Sequence, residues 1–231
     1  MGDGGGVTVH GVDVQFDSHR LRLAGTVVAV AFLAGAIGFV LGTADERVPS
    51  ETDLGFTQDM ITHHEQAVAM AAIALDQADS STIRIFASEV IISQMREIGL
   101  LDSFLNRWGR ARKDSDDTVM AWMGMPMPLE EMPGYADDIE LRALRDATGP
   151  AFDSLFLTML AAHHVGGTQM AAFAADNARS DDVTALAEII ARNQSIEIAE
   201  YGETARRLML PSIPGAPTFE EYAELARLAK T

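Results

Sequence analysis

The 231-residue chain contains no cysteine. Disulfides, iron–sulfur clusters and thiolate metal sites are therefore excluded. Positive charge is also scarce: 17 Lys and Arg stand against 34 Asp and Glu, for a net charge of −17. A polyanion such as nucleic acid is not an expected partner, whereas an acidic surface suits solubility and attracts cations. No Ser-His-Asp arrangement stands out, and the glycines at 2–6 follow no strand, so they do not read as a phosphate cradle. No catalytic constellation emerges, and the chain is read as a non-enzyme. Its hydrophobic content of 48% is that of a folded protein, and its length allows one sizeable domain plus extras.

The first long feature is apolar. Residues 23–42 (LAGTVVAVAFLAGAIGFVLG) carry no charge, and their length matches the ~30 Å hydrocarbon core of a bilayer. Arg20 and Arg22 precede the run; Asp45 and Glu46 follow it. The positive-inside rule places residues 1–22 in the cytoplasm and the rest on the extracytoplasmic side. The run exceeds the ~7–15 apolar residues of a signal peptide. A single-pass transmembrane helix in contact with membrane lipid is expected, with the protein at the cell membrane. Residues 43–52 then form a polar linker.

What remains says one thing twice. Phe56 to Ala71 reads FTQDMITHHEQAVAMA, and Phe156 to Ala171 reads FLTMLAAHHVGGTQMA. At the same offset Gln94, Glu97 and Ile98 fall on Gln194, Glu197 and Ile198. A repeat that keeps polar residues inside apolar patterns calls for a chemical reason, because apolar residues fill a core at lower cost.

Each copy reads as two long helices joined by a short turn. The expected spans are about 53–78, 80–109, 150–177 and 180–209. Ser80 or Ser81, and Ser180 or Asp181, are expected caps, and Pro150 suits a first turn. Short turns make antiparallel hairpins, and two hairpins with one sticky face each pack together. The fold class predicted is all-α: a four-helix bundle over 53–210, with approximate two-fold symmetry, preceded by one transmembrane helix. A Met-rich connection, 110–139, joins the hairpins. Its run MAWMGMPMPLEEMPG holds five of the twelve methionines, and Pro126, Pro128 and Pro133 forbid regular structure there. A short helix about 138–147 follows. Within residues 211–231 a last helix starts at a capping box of Thr218 and Glu221.

Phe56, Met60, His63, Ala67 and Met70 are spaced four, three, four, three, as are Phe156, Leu160, His163, Gly167 and Met170. That is the seam of a packed helix. His63 and His163 should face the core, and His64 and His164, ~100° further round, should lie at its flank. Gln94, Glu97, Gln194 and Glu197 belong to the same mid-section. Two explanations stay open. In one, His63 bonds Glu197 or Gln194, and His163 bonds Glu97 or Gln94, as a network that fixes helix register. In the other, His63, His64, His163 and His164 converge with Met60, Met70, Met159 and Met170 on a metal, the Gln and Glu residues standing behind them. Imidazole suits copper, zinc and iron, thioether favours Cu(I), and the Met-rich connection favours copper. A di-iron centre does not fit: the residues three before each histidine are Met60, Ile61, Leu160 and Ala161, where Glu is needed.

The two His-His stretches, the Gln94-x-x-Glu97-Ile98 and Gln194-x-x-Glu197-Ile198 steps and the Met132-Pro133-Gly134 run together resemble the bacterial family called domain of unknown function 305. The resemblance covers about residues 53–210. It implies a ferritin-like four-helix fold in exported or membrane-tethered proteins, some of which bind copper and are linked to copper tolerance. Tyr135 stands where the family often has Met, and Gly166 and Gly167 where it has a bulkier pair. The function expected is a membrane-anchored extracytoplasmic domain that binds copper. The alternative is an interaction or assembly subunit of a membrane protein complex.

Overall fold

A computed structural model describes residues 48–114 and 118–229. The amino-terminal stub, the apolar run 23–42 and the first half of the linker lie outside the described residues. Among the described residues no helix is long and apolar enough to cross a membrane. The fold is all-helical there: α1 Glu51–Gln77, α2 Ser81–Trp108, α3 Asp138–Asp146, α4 Gly149–Asn177, α5 Asp181–Arg207 and α6 Phe219–Leu228. Two short 3-10 turns, Ala121–Met123 and Leu129–Glu131, punctuate the connection. The periodicity places each helix within a few residues of its observed ends.

Helix α1 packs along α2, and α4 along α5, as two hairpins that meet through α1 and α4. Helix α6 lies on α4 and α5. The central pair therefore has neighbours on more than one side, and both helices are buried around most of their circumference. The apolar interior falls into two halves. One holds Met70, Ala74, Ile83, Phe156, Leu160 and Tyr201. The other holds Phe56, Met60, Leu101, Trp108, Met170 and Ile190. Each half combines one end of each long helix, so the mid-section between them is left to the polar residues of the repeat.

The caps differ in one respect from expectation. Ser80 and Ser180 occupy the N-cap positions of α2 and α5 but make no side-chain capping bond. Their backbone N–H groups go instead to carboxylates of the opposite hairpin. Ser180 N–H donates to Asp53 Oδ1 (3.0 Å), and Ser80 N–H to Asp153 Oδ2 (3.2 Å). Asp53 also accepts from Arg179 N–H (3.0 Å) and closes the capping box of α1 with Ser50. These residues are repeat partners, so each hairpin's first helix holds the other hairpin's turn. Asp59 on α1 fixes the connection: it accepts from Met120 N–H (2.7 Å), Trp122 Nε1–H (2.8 Å) and Lys113 Nζ (2.7 Å). The Trp122 ring rests against Gly55, where any side chain would collide with it.

Asp53 is buried and replacing it leaves buried donors unpaired, which costs ~1–3 kcal/mol for each such group. Asp53→Ala should lower unfolding stability by about 2–4 kcal/mol, read from the denaturant midpoint. A loss under about 0.5 kcal/mol would contradict the cross-hairpin clamp.

Candidate metal centre

The four predicted histidines meet in one layer between the two apolar halves, and all are fully buried. The reason is geometric. Helices α1 and α4 face each other at His63 and His163, whose ring centroids are 3.7 Å apart. His64 lies 6.3 Å from His63, and His164 lies 6.1 Å from His163, again between ring centroids. The expectation that His64 and His164 sit at the flank is corrected here. Because α1 and α4 each pack against two long helices, a residue ~100° off one seam enters the other contact.

The hydrogen bonds also run differently from expectation. His64 pairs with Glu97 of its own hairpin, Nε2 to Oε2, at 2.7 Å. His164 repeats this with Glu197 at 2.7 Å, and the Tyr201 hydroxyl lies 3.2 Å from the same nitrogen. His163 Nε2 meets the His63 backbone carbonyl at 3.0 Å. The expected cross-hairpin bonds, His63 to Glu197 or Gln194 and His163 to Glu97 or Gln94, do not form. Each glutamate reaches the second histidine of its own pair, one helix over.

Much of the layer's polarity has no protein partner. Nδ1 of His64, His163 and His164, Oε1 of Gln94 and both amide atoms of Gln194 are buried without a hydrogen bond to protein; His63 makes no well-aligned bond either, the Pro133 backbone being the polar group its ring approaches. Each such group costs ~1–3 kcal/mol unless a water or a ligand satisfies it. Burial, followed by the charges of His64 and His164, drives the pKa of His63 well below the usual imidazole value. Burial, then the charges of His63, His164 and His64, does the same to His163. Both rings are thus neutral at physiological pH, with lone pairs free for a Lewis acid. Burial, followed by the carboxylates of Glu197, Glu200 and Glu89, raises the Tyr201 phenol well above its usual pKa.

The methionines divide. Met60 and Met170 are buried in one apolar half. Met70 is buried in the other, with Met159 packed against it only partly buried. They flank the imidazoles along the helices instead of forming one ring with them. Among the described residues no group of three or more His, Asp or Glu is arranged to enclose a metal ion. The donor set itself, buried neutral imidazoles with unpaired nitrogens, fits a borderline-soft cation such as copper.

Over this layer lies a strap, Met132–Ala136, which the sequence did not reveal as part of the site. Gln66 on α1 holds its end twice: its Nε2 donates to Ala136 O and its Oε1 accepts from Ala136 N–H, both at 2.7 Å. Gly134 adopts φ +78°, and a Cβ there would come within 2.7 Å of His163 Cα. A Cβ on Gly166 would overlap the Pro133 carbonyl, and one on Gly167 would overlap Gln194 and come within 3.0 Å of the His63 ring. Two glycines inside a helix cost about 1 kcal/mol each relative to Ala. Here they make room for the strap and for the polar layer. The signal was present in the sequence as an unusual Gly166-Gly167 pair; its cause lay some thirty residues away in the chain.

Gly166→Ala should displace the strap without unfolding the helices. Amide exchange at Tyr135 and Ala136 should accelerate, while that of α1 and α4 stays near wild type. Unchanged exchange at the strap would show that the close approach does not matter. The buried imidazoles also set a pH dependence. The unfolded chain takes up protons on His63 and His163 below about pH 6.5, while the folded form resists them. Stability is therefore retained above that pH and lost as pH falls. From pH 7.5 to 5.5 the two rings should together cost stability on the order of a few kcal/mol. Denaturant unfolding at the two pH values, compared with the His63→Gln/His163→Gln variant, checks this. An equal loss in the variant would place the acid sensitivity elsewhere.

Three solved structures align with this arrangement. A DUF305 protein from Streptomyces coelicolor matches at 29% identity and a TM-score of 0.63, covering 70% of this chain and 96% of its own. A DUF305 fragment from Deinococcus radiodurans matches at 26% and 0.60, covering 69% and 98%. CopM in its Cu(I)-bound form matches at 26% and 0.51, covering 68% and 96%. No curated protein matches. The family model described as Domain of unknown function (DUF305) matches residues 53–204. The chain accordingly belongs to the DUF305 family.

Proposed function

We propose that the imidazole layer binds copper, with Cu(I) the favoured state, and that the protein handles copper without catalysing a reaction. The observation that carries this is the set of buried, unpaired ring nitrogens on His63, His64, His163 and His164. A chain without cysteine has imidazole and thioether as its soft donors, and these favour copper over hard cations. The likeness to CopM in a Cu(I)-bound form supports the same reading. His63 and His163 supply the central nitrogens, with His64 and His164 beside them; Met60, Met70, Met159 and Met170 line the adjoining core. Helices α1, α2, α4 and α5 form the four-helix bundle that holds them. The apolar run 23–42 tethers this bundle to the extracytoplasmic face of the cell membrane.

A second reading rests on a different observation. Ile85, Ile92 and Met95 of α2 are more than half exposed. An apolar stripe of this kind suits an assembly subunit that meets a membrane protein partner, with the polar layer serving helix register alone.

Full-length protein purified without chelators, titrated with Cu(I) against a chromophoric chelator, separates the two. Copper binding predicts stoichiometric uptake and an affinity at least tenfold weaker in His63→Ala/His163→Ala. Uptake no greater than that of a variant lacking all four bundle histidines would eliminate the copper reading and leave the assembly one.

A further inference from the structure

The outward stripe of helix α2 is apolar where a solvated helix is polar. Ile85 is 57% exposed, Ile92 70% and Met95 52%. Spaced seven and three, they fall on one seam, which runs on to Gly99. A Cβ at Gly99 would meet nothing within 4 Å, so the helix presents bare backbone there. The fold does not call for this stripe. At the repeat offset α5 carries Ala185, Arg192, Ser195 and Ala199, and it packs along its own hairpin partner just as α2 does.

Charge narrows what covers it. The chain is strongly acidic, at −17, so two copies repel over most of their surface. Helix α2 is the exception. Its Arg84, Arg96 and Arg107 balance Glu89, Glu97 and Asp102, whereas every other helix of the fold carries an excess of acid. Glu89 and Arg96 each lie four residues past a stripe isoleucine, so both stand on the same flank of the seam. Neither forms an ion pair among the described residues. Two α2 helices laid parallel would set Glu89 beside Glu89 and Arg96 beside Arg96. Laid antiparallel about Ile92, they set Glu89 beside Arg96, twice over. The same register brings Ile85 to Gly99, because these lie equally far on either side of Ile92. The bulky side chain then fills the place where the other helix has none.

We propose that a second copy of this chain covers the stripe: two α2 helices pack antiparallel across a two-fold axis at Ile92, with Ile85 over the partner's Gly99 and Glu89 paired with the partner's Arg96. The seam takes up the stripe of the assembly reading and gives it an occupant; it does not depend on what the imidazole layer binds. A contact of this kind is isologous, so it closes with two subunits. The stretch from Ile85 to Gly99 is ~21 Å long, which puts the buried area near the lower end for specific pairs and makes the dimer reversible. Ile196 of α5 lines, with Phe86 and Glu89, the groove beside this seam. It is 51% exposed and widens the apolar surface on the flank where Glu89 lies.

The lack of native cysteine lets single substitutions report the geometry in full-length protein purified in detergent. Ile92→Cys should give a disulfide-linked dimer on mild oxidation, because a residue on the axis meets itself. Ser81→Cys, also exposed, should not, since antiparallel pairing holds its two copies ~33 Å apart. Sedimentation velocity should show a concentration-dependent dimer that Ile92→Glu abolishes with helical content unchanged. Glu89→Arg should weaken it about tenfold, there being two such pairs in each dimer, and Glu89→Arg/Arg96→Glu should restore it. Three results each overturn the proposal: a chain that stays monomeric at its highest soluble concentration, a dimer indifferent to Ile92→Glu, or Ser81→Cys linking as readily as Ile92→Cys. Cu(I) uptake is read separately. No dimer together with no Cu(I) uptake refutes the second copy alone and leaves the stripe to a membrane protein partner. Cross-linking at Ile92→Cys together with stoichiometric uptake upholds the pairing and refutes a polar layer that serves helix register alone.

Discussion

Everything in this fold is arranged around imidazoles that are buried with fewer partners than they need. Filling the mid-section with leucine would give a larger continuous core. The chain instead spends its interior on four histidines and two glutamines, and divides its apolar side chains into a half on either side. Unpaired polar groups at that depth are tolerated only where surrounding structure over-determines them. Here the restraint comes from long antiparallel helices on both flanks and from aspartates that tie each hairpin's turn to the other.

The strap completes the enclosure. It is fixed by Gln66 at one point and, through Asp59, by the earlier part of the connection. Its backbone lies against the very turn of α4 that carries His163 and Gly166. Met120 and Met132 are buried in one apolar half and Met125 is exposed, while Pro133 and Gly134 lie against the polar layer. Exclusion of water strengthens any electrostatic or dative interaction inside such a site.

Local pattern made much of this legible and left a definite remainder. The heptad spacing from Phe56 to Met70 and its copy from Phe156 to Met170 located the helices and turned His63 and His163 inward, because periodicity reports one contact face well. It misplaced His64 and His164, because a helix with two neighbours has two faces and the spacing describes only one. It matched the glutamates to the wrong rings for the same reason: Glu97 reaches His64 across the hairpin that both share. The strap was invisible because it depends on two glycines and a proline carbonyl brought together from distant parts of the chain. Asp53 and Asp153 shared the repeat offset and could have been found by it, yet their role needs knowledge of which turn lies beside which helix end.

The central claim is that a cation completes the polar layer, so that metal and fold are thermodynamically linked. Thermal unfolding with and without Cu(I) at about a hundred times its dissociation constant tests it most directly. Binding to the folded state alone should add about 2.7 kcal/mol of stability, seen as a rise of several degrees in Tm that disappears when the four bundle histidines are replaced. A Tm indifferent to Cu(I), or one that rises equally without those histidines, would contradict it.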